Sequence, residues 1–519
     1  MADKNYVIGV DSGTQSVRAV LFDRAGSVVA LASAPHEPYF SLKPGWAEQS
    51  PDDYWAKLCQ VTNALMKEIT IDPNEITGLG ITTQRGTFVP VDREGNALRA
   101  AIIWLDERLN EHPQPLSRVI RAAVALLGQS SAIEYVRKHS KFQWIKDNEP
   151  EAYRKTYKFM QISGWFVKKL TGEFKDSVGM VTGLWPMDYK NLTWHPLKLA
   201  HRAFGLEPEH MVDIFPPDQV LGHVTPSASA LTSLPIGLPV VVGAGDKQSE
   251  LLGAGGIEPG TGVISYGTAT CMEIFTRKYV YDKDLKFFTW PAALPNAWDI
   301  ELMIHRGFWM VSWFKEEFGH REAVEAEKRG IPPEVVLDER IRGIPPGSMG
   351  LMLQPYWSPL VDDKFAKGSI IGFGDVHTRA HIYRAILEGL GYELRRLYEL
   401  YHRKTGVTLR EIRVGGGGSK SDVAVQIAAD IFNLPVFRMA THEICALGAA
   451  IDAAVGTGMF PSFEEAVASM VKKDRVFDPV PANHRVYDDL YRDVYLKTYG
   501  TLEPFYKKIA EITGYPAAD

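Results

Sequence analysis

Short apolar runs separated by turn residues recur along the chain and alternate with stretches of helical period. "YVIGV" (6–10) and "VRAVLFD" (17–23) flank the polar "DSGTQS", and "RAGS" leads on to "VVALASAP". That pattern predicts a meander of strands joined by tight turns. "ITGLGITTQ" (76–84) and "TFVPVD" (87–92) continue the strand content. From Lys141 to Gly172 the period is helical, with Gly172 placed to cap a helix C-terminus. A Pro-rich stretch, 216–239, predicts loose structure, and "GTGVISYGTATCMEIFT" (260–276) a second strand–turn–strand unit. "LREIRVGGGGSKSDVAVQIAADIF" (409–432) is a strand, four glycines and a helix, while "GYELRRLYELYHRKTG" (391–406) has the charge pattern of a solvated amphipathic helix. Strands alternating with helices in this way predict an α/β protein.

The two strand–turn–strand units resemble each other. Each holds a Gly-Thr pair in its turn, Gly13-Thr14 in one and Gly267-Thr268 in the other. Their spacing suggests two related halves, divided near 247–258, so the expected domains are 1–250 and 251–519. Composition narrows the class: 45% hydrophobic and 23% charged residues in 519 are usual for a globular protein of two or three domains. The net charge of −6 is spread along the chain and points to no nucleic-acid partner. Cys59, Cys271 and Cys445 lie far apart, which argues against a disulfide framework or zinc site and for a reducing compartment. No window has the run of apolar residues that a membrane helix needs, and the first strand follows the N-terminus directly. A cytoplasmic protein is expected.

Candidate chemistry sits in the glycine-rich turns. Turns built of Gly, Ser and Thr expose backbone N–H groups that can wrap a phosphate, although a plain hairpin needs the same residues. "DSGTQS" and "YGTATC" have this composition, with Asp11 placed to hold a magnesium-bound water. "VGGGGSKSD" allows close backbone approach ahead of a helix, which suits a base or ribose. No GxxxxGK[ST] pattern occurs, and the run from Gly243 to Gln248 fails GxGxxG at its last position. Asp246, alone in "PVVVGAGDKQSELLGAGG" (239–256), is either a catalytic acid or base or a solvated turn residue.

From Tyr6 to Phe460 these motifs resemble the FGGY family of carbohydrate kinases. "VIGVDSGTQSVRAVLFD", "GWAEQSPDDYW", "KFQWIKDNEPE", "GSIIGFGDVHTRAHIYRAILEGL" and "VGGGGSKSD" with "EICALGAAIDAAVGTG" carry the resemblance in order. It implies two actin-like (ribonuclease H-like) α/β lobes with a central interlobe cleft, and ATP-dependent phosphorylation of a sugar or polyol hydroxyl. The helix after "VGGGGSKSD" would belong to the adenosine-binding end of the C-terminal lobe. Carried over by position, Asp246 matches the catalytic base, and Asp11 with Asp246 would hold Mg²⁺. Gly13, Thr14 and Gln15 fall in the first phosphate loop and Gly267 and Thr268 in the second. Gly307 lies near the phosphates, and Gly417, Gly418 and Ser421 line the adenosine. Gly243 and Gly245 would make room for the acceptor, and a homodimer is expected.

For the acceptor, Gln84 and Arg85 follow a strand where the family binds its sugar. Glycerol kinases of the family carry Gln-Arg-Glu there and a Gln after the catalytic Asp; this chain has Gly86 and Lys247 instead. The Met-His pair usual in xylulose kinases is also absent. Gly86 leaves room for a longer acceptor, so a pentulose such as xylulose or ribulose is expected, with glycerol or another polyol as the alternative. A catalytically silent sugar sensor is the rival of a different class. Lys247, Trp46 and Asp106 are further pocket candidates; Trp46 reads equally as a core aromatic and Asp106 as an ion-pair partner of Arg108 or Arg85.

Overall fold

The apolar runs at the N-terminus form β1 (Tyr6–Ser12), β2 (Ser16–Asp23) and β3 (Val28–Pro35), paired antiparallel in sequence. The computed structural model describes residues 5–111, 113, 130–358 and 363–515. It divides into two units, the first comprising Met1–Gly253, Trp290–Trp298 and Cys445–Val471, the second Ala254–Thr289, Asp299–Ile444 and Lys472–Asp519.

In the first unit, α1 (Pro51–Glu68) packs on the meander and leads to β4 (Ile76–Thr83), which lies parallel to β1. A further parallel strand, β5 (Pro239–Val242), pairs with β4 and feeds α2 (Asp246–Gly253). Residues of β1, β4 and β5 are buried because helices cover the sheet, which is why these runs read as continuous apolar stretches without alternation. One covering helix is Ile444–Gly456, distant in sequence. Its Ala446 and Ala449 carbonyls come so close to the sheet that a Cβ at Gly9 or Gly80 would lie 2.0 or 1.8 Å away. Small residues on both sides make that approach possible. Hence "CALGAAIDAAVG", whose order in the chain suggests the second half, belongs to the first unit from Cys445 onward.

The second unit repeats the plan. β6 (Thr261–Tyr266) and β7 (Thr270–Thr276) form an antiparallel hairpin, with β8 (Trp298–Ile304) beside β7. After α3 (Trp309–Phe318) and α4 (Arg379–Thr405), β9 (Glu411–Gly415) runs parallel to β6. Then α5 (Asp422–Phe432) crosses over to β10 (Val436–Met439), parallel to β9. Third, second, first, fourth, fifth is thus the strand order in both sheets, β3-β2-β1-β4-β5 and β8-β7-β6-β9-β10. The protein is a mixed α/β molecule of two domains.

Three local expectations change. Within 141–172 the helices Lys141–Asn148, Pro150–Lys155 and Ile162–Thr171 are interrupted by a strand, Lys158–Gln161, which pairs with Phe88–Val91. The stretch 216–239 contains a strand, Val220–His223, and a helix, Pro226–Thr232. Residues 391–406 are no solvated helix: Tyr392, Leu394, Leu397 and Tyr401 are buried, and buried Glu393 accepts from Tyr356 and Tyr495 hydroxyls at 2.9 Å. Internal partners neutralise charges that look solvent-facing in sequence. Gly172 does cap its helix, at φ 84°.

Candidate active site

Asp246 opens α2 directly after β5, so its carboxylate stands at a helix N-terminus, where N–H dipoles favour negative charge. The turn before it is fastened on several sides. Ser177 Oγ donates to Gly243 O at 2.5 Å, Thr82 Oγ1 to Ala244 O at 2.8 Å, and Ser249 N to Gly245 O at 2.9 Å. The two glycines serve close packing. A Cβ at Gly243 would fall 1.8 Å from Asp452 Oδ2, and one at Gly245 would fall 2.3 Å from Arg85 Cγ. The room expected there for an acceptor is therefore occupied by Asp452 and by the Arg85 stem. That stem carries the guanidinium across Gly245 to Asp246, with Nε 3.1 Å from Oδ1. The Asp246 side chain stays 31% exposed, open to a ligand.

Around Asp246 lies a cluster of charges. Asp11, at the end of β1 opposite Arg18 on β2, has its carboxyl pushed up to about 7. Burial is the main cause and the Asp246 charge the next; Arg18 opposes them and Glu250 adds to them. Cys445 donates to Asp246 O at 3.5 Å and bonds Asp11. Burial and the surrounding carboxylates drive its thiol well above the ordinary range. Lys247 turns to Glu250, Nζ 3.0 Å from Oε2. The carboxylate oxygens of Asp11 and Asp246 are hard donors of the kind Mg²⁺ takes, so these residues fit that ion.

The remaining acceptor candidates separate. Gln84 is buried, accepting from Thr14 Oγ1 at 2.6 Å and donating to the Tyr54 hydroxyl at 2.5 Å. Asp106 is buried against Arg108 and accepts Ala47 N–H at 2.8 Å. Trp46 packs edge-on to Trp144, with the Arg108 guanidinium 4.1 Å above its ring. Both sit in an ionic cluster with Glu48 and Arg99. Residues that the sequence reading passed over are Glu250, one helical turn after Asp246, and Trp104, two positions before Asp106. Trp104 is 48% exposed, and its Nε1 donates to Thr14 Oγ1 at 2.8 Å. An aromatic between apolar "II" and the charged "LDER" was the available signal.

In the first hairpin Gly13 N–H bonds Ser16 O at 3.0 Å, a tight turn, and Gln15 O accepts His36 N–H at 2.8 Å. The second unit assembles its own glycines. Phe308 and Trp309 N–H groups bond Gly267 O and Thr268 O, each at 3.2 Å. A Cβ at Gly307 would strike Thr270 Oγ1 at 2.1 Å, and one at Gly418 the Phe308 ring at 2.2 Å. Gly416 takes φ +77° for the turn, whereas a Cβ at Gly417 would meet nothing within 4 Å. Of the glycines 415–418, Gly417 is thus the one that presents its backbone to open space. Ser421 caps α5 through Ala424 N at 3.1 Å and bonds Asp338. From the next residue, Asp422, a cavity of about 660 Å³ runs along α5, lined also by Val423, Gln426, Arg342 and Arg475.

Paired α/β units, each with a glycine hairpin, and a carboxylate cluster at a helix N-terminus define a phosphoryl-transferring enzyme. Residues 6–253 match the N-terminal domain, and residues 262–457 the C-terminal domain, of the FGGY family of carbohydrate kinases. The chain belongs to that family and is a sugar kinase, a phosphotransferase; kinases of this family use ATP. It is 31% identical over 514 residues to an uncharacterized sugar kinase, YgcE, of Escherichia coli (strain K12), covering 98% of this chain and 96% of the other. To a xylulose kinase of Bacillus subtilis (strain 168) it is 28% identical over 515 residues, covering 95% and 97%. The crystal structure of xylulose kinase from Rhodospirillum rubrum superposes with a TM-score of 0.81 at 28% identity, covering 97% of this chain and all of that one. Among the described residues no helix is long and apolar enough to cross a membrane.

Proposed function

We propose that the protein phosphorylates a hydroxyl of a pentulose such as xylulose or ribulose, with Asp246 as general base. The observation that carries this reading is the Arg85–Asp246 pair beside Gly86. Gly86 has φ +66° and contributes no side chain of its own; its neighbour there is Trp104, whose Cβ lies 3.4 Å from where a Gly86 Cβ would stand. A five-carbon chain has room where an acidic side chain would shorten the site. The xylulose kinases among the relatives support the same class.

Asp246 takes the proton of the attacking hydroxyl as the bond to phosphorus forms, help typically worth ~10²–10⁴-fold. Arg85 orients the carboxylate through its Nε–H. Asp11 and Asp246 would hold Mg²⁺, which when bound offsets charge on the transferring phosphoryl group. In the first unit the turn at Gly13 would offer the Thr14 and Gln15 N–H groups to phosphate; in the second, Gly267, Thr268 and Gly307 line the phosphates, with adenosine at Gly417, Gly418 and Ser421. Lys247, held by Glu250, supplies a positive charge next to the acceptor.

A panel of pentuloses, alditols and glycerol, scored by magnesium-dependent ADP release, tests the assignment. The highest kcat/KM is expected for a pentulose, and glycerol as the best substrate would refute it. No stimulation by any sugar would refute the acceptor class altogether.

A further inference from the structure

Behind the first hairpin, four polar side chains form one continuous hydrogen-bond chain whose direction can be worked out. Gln49 Nε2 lies 3.0 Å from Thr14 O and 3.1 Å from Glu37 O. Backbone carbonyls only accept, so the Gln49 amide must turn its NH₂ to them and its Oε1 to Tyr54. Tyr54 then donates to Gln49 Oε1 and accepts from Gln84 Nε2 at 2.5 Å. That leaves Gln84 Oε1 to accept the Thr14 hydroxyl at 2.6 Å, and Thr14 Oγ1 to accept the Trp104 indole N–H at 2.8 Å. Gln49, Tyr54 and Gln84 are all buried. Each step has one orientation that leaves nothing unpaired, and reversing any of them strands a buried polar group.

We propose that Gln49 and Tyr54 are positioning residues for the acceptor: through Gln84 and Thr14 they aim the exposed Trp104 indole beside Gly86, where its apolar face packs on the C–H groups of the bound sugar. This rests on the reading of Asp246, Arg85 and Gly86 as the acceptor pocket. The Thr14 hydroxyl proton is committed to Gln84, so Thr14 contributes to phosphate binding through its backbone N–H. The sequence neighbours Gln84 and Arg85 thereby divide the work, Arg85 orienting the base and Gln84 the platform.

Tyr54→Phe removes one oxygen and keeps the ring, which packs edge-on to His36 at 4.6 Å. Without the hydroxyl, the Gln84 amide is free to flip its NH₂ toward Thr14, turning the Thr14 proton outward against the Trp104 N–H. Gln49→Met breaks the chain at its other end, with a side chain of similar length. The protein is labelled with 5-fluorotryptophan, and the Trp104 resonance, assigned with Trp104→Phe, is recorded by ¹⁹F NMR without sugar. Both variants are expected to shift or broaden that resonance. They are also expected to raise the KM of the best acceptor in the panel about tenfold, as for loss of one buried hydrogen bond, with kcat and the KM for ATP within twofold of wild type. An unmoved Trp104 resonance in a folded variant overturns the proposal, as does an unchanged acceptor KM, even if the melting temperature falls. Because the resonance is read without sugar, a wrong acceptor class and a wrong positioning role give different results.

Discussion

Replacing Asp246 by asparagine exchanges a proton acceptor for an amide of the same shape. The amide oxygen can still accept Arg85 Nε, now 3.1 Å from Oδ1, so the side chain keeps its position. What disappears is the capacity to take the hydroxyl proton. General-base assistance of ~10²–10⁴-fold corresponds to about 3–5 kcal/mol of barrier, and kcat should fall by that factor. Stability should hardly move. The pair is partly exposed, 31% on the Asp246 side, and a pair of this kind is worth about 0–1 kcal/mol. Nucleotide affinity should also hold, since Gly417, Gly418 and Ser421, proposed for adenosine, belong to the second unit and Asp246 to the first. Single-turnover phosphorylation of the best acceptor, titration calorimetry with ATP and thermal unfolding measure the three quantities. A variant with kcat within about tenfold of wild type would refute the general-base role. Equal losses in kcat and ATP affinity would instead make Asp246 a nucleotide-binding residue.

Two further outcomes follow from the same surroundings. Gly243→Ala drives a Cβ to 1.8 Å from Asp452 Oδ2 in the buried interior and should cost about 1–3 kcal/mol in urea unfolding. Asp452→Ala added to it should recover most of that loss, and strictly additive losses would show that the contact is not the cause. Asp176, buried beside Ser163 and Ser177, has its carboxyl pushed up to about 7 by that burial. The folded protein therefore keeps a proton that the unfolded chain releases near the ordinary 3.8. Its contribution to stability is greatest below that value and is lost as pH rises toward 7. Relative to Asp176→Asn, wild type should lose up to ~4 kcal/mol between pH 4 and pH 8. Parallel stability curves for the two proteins would exclude it.

How much of this was legible beforehand differs residue by residue. The hairpins around Gly13 and Gly267 were, because strand period and turn composition are local properties. So was the cap at Gly172. The strand Lys158–Gln161 was not, since "KFMQ" is too short to show its period and forms only by pairing with Phe88–Val91. Asp246 could be singled out through its glycines, yet those glycines have another use: they admit Asp452 and the Arg85 stem, contributed from distant parts of the chain. Gln84 looked like a residue that faces ligand. Its amide is enclosed by Thr14 and Tyr54, partners that no spacing rule connects to it.

By itself the sequence determined the α/β class, the two hairpins and the family to which the motifs point, and it singled out Asp11 and Asp246 as the carboxylates proposed for phosphoryl transfer. These depend on short-range patterns: apolar period, turn chemistry and the few residue types that can bind phosphate or take a proton. Tertiary structure alone decided the partnerships. It set Ile444–Gly456 against Gly9 and Gly80, turned Lys247 to Glu250, and gave Gly416, Gly417 and Gly418 different surroundings. It also fixed the direction of the hydrogen-bond chain from Gln49 to Trp104. The physical reason is common to all of them: close packing and hydrogen bonding join groups that are near in space, and for residues tens or hundreds of positions apart only the completed fold makes them near.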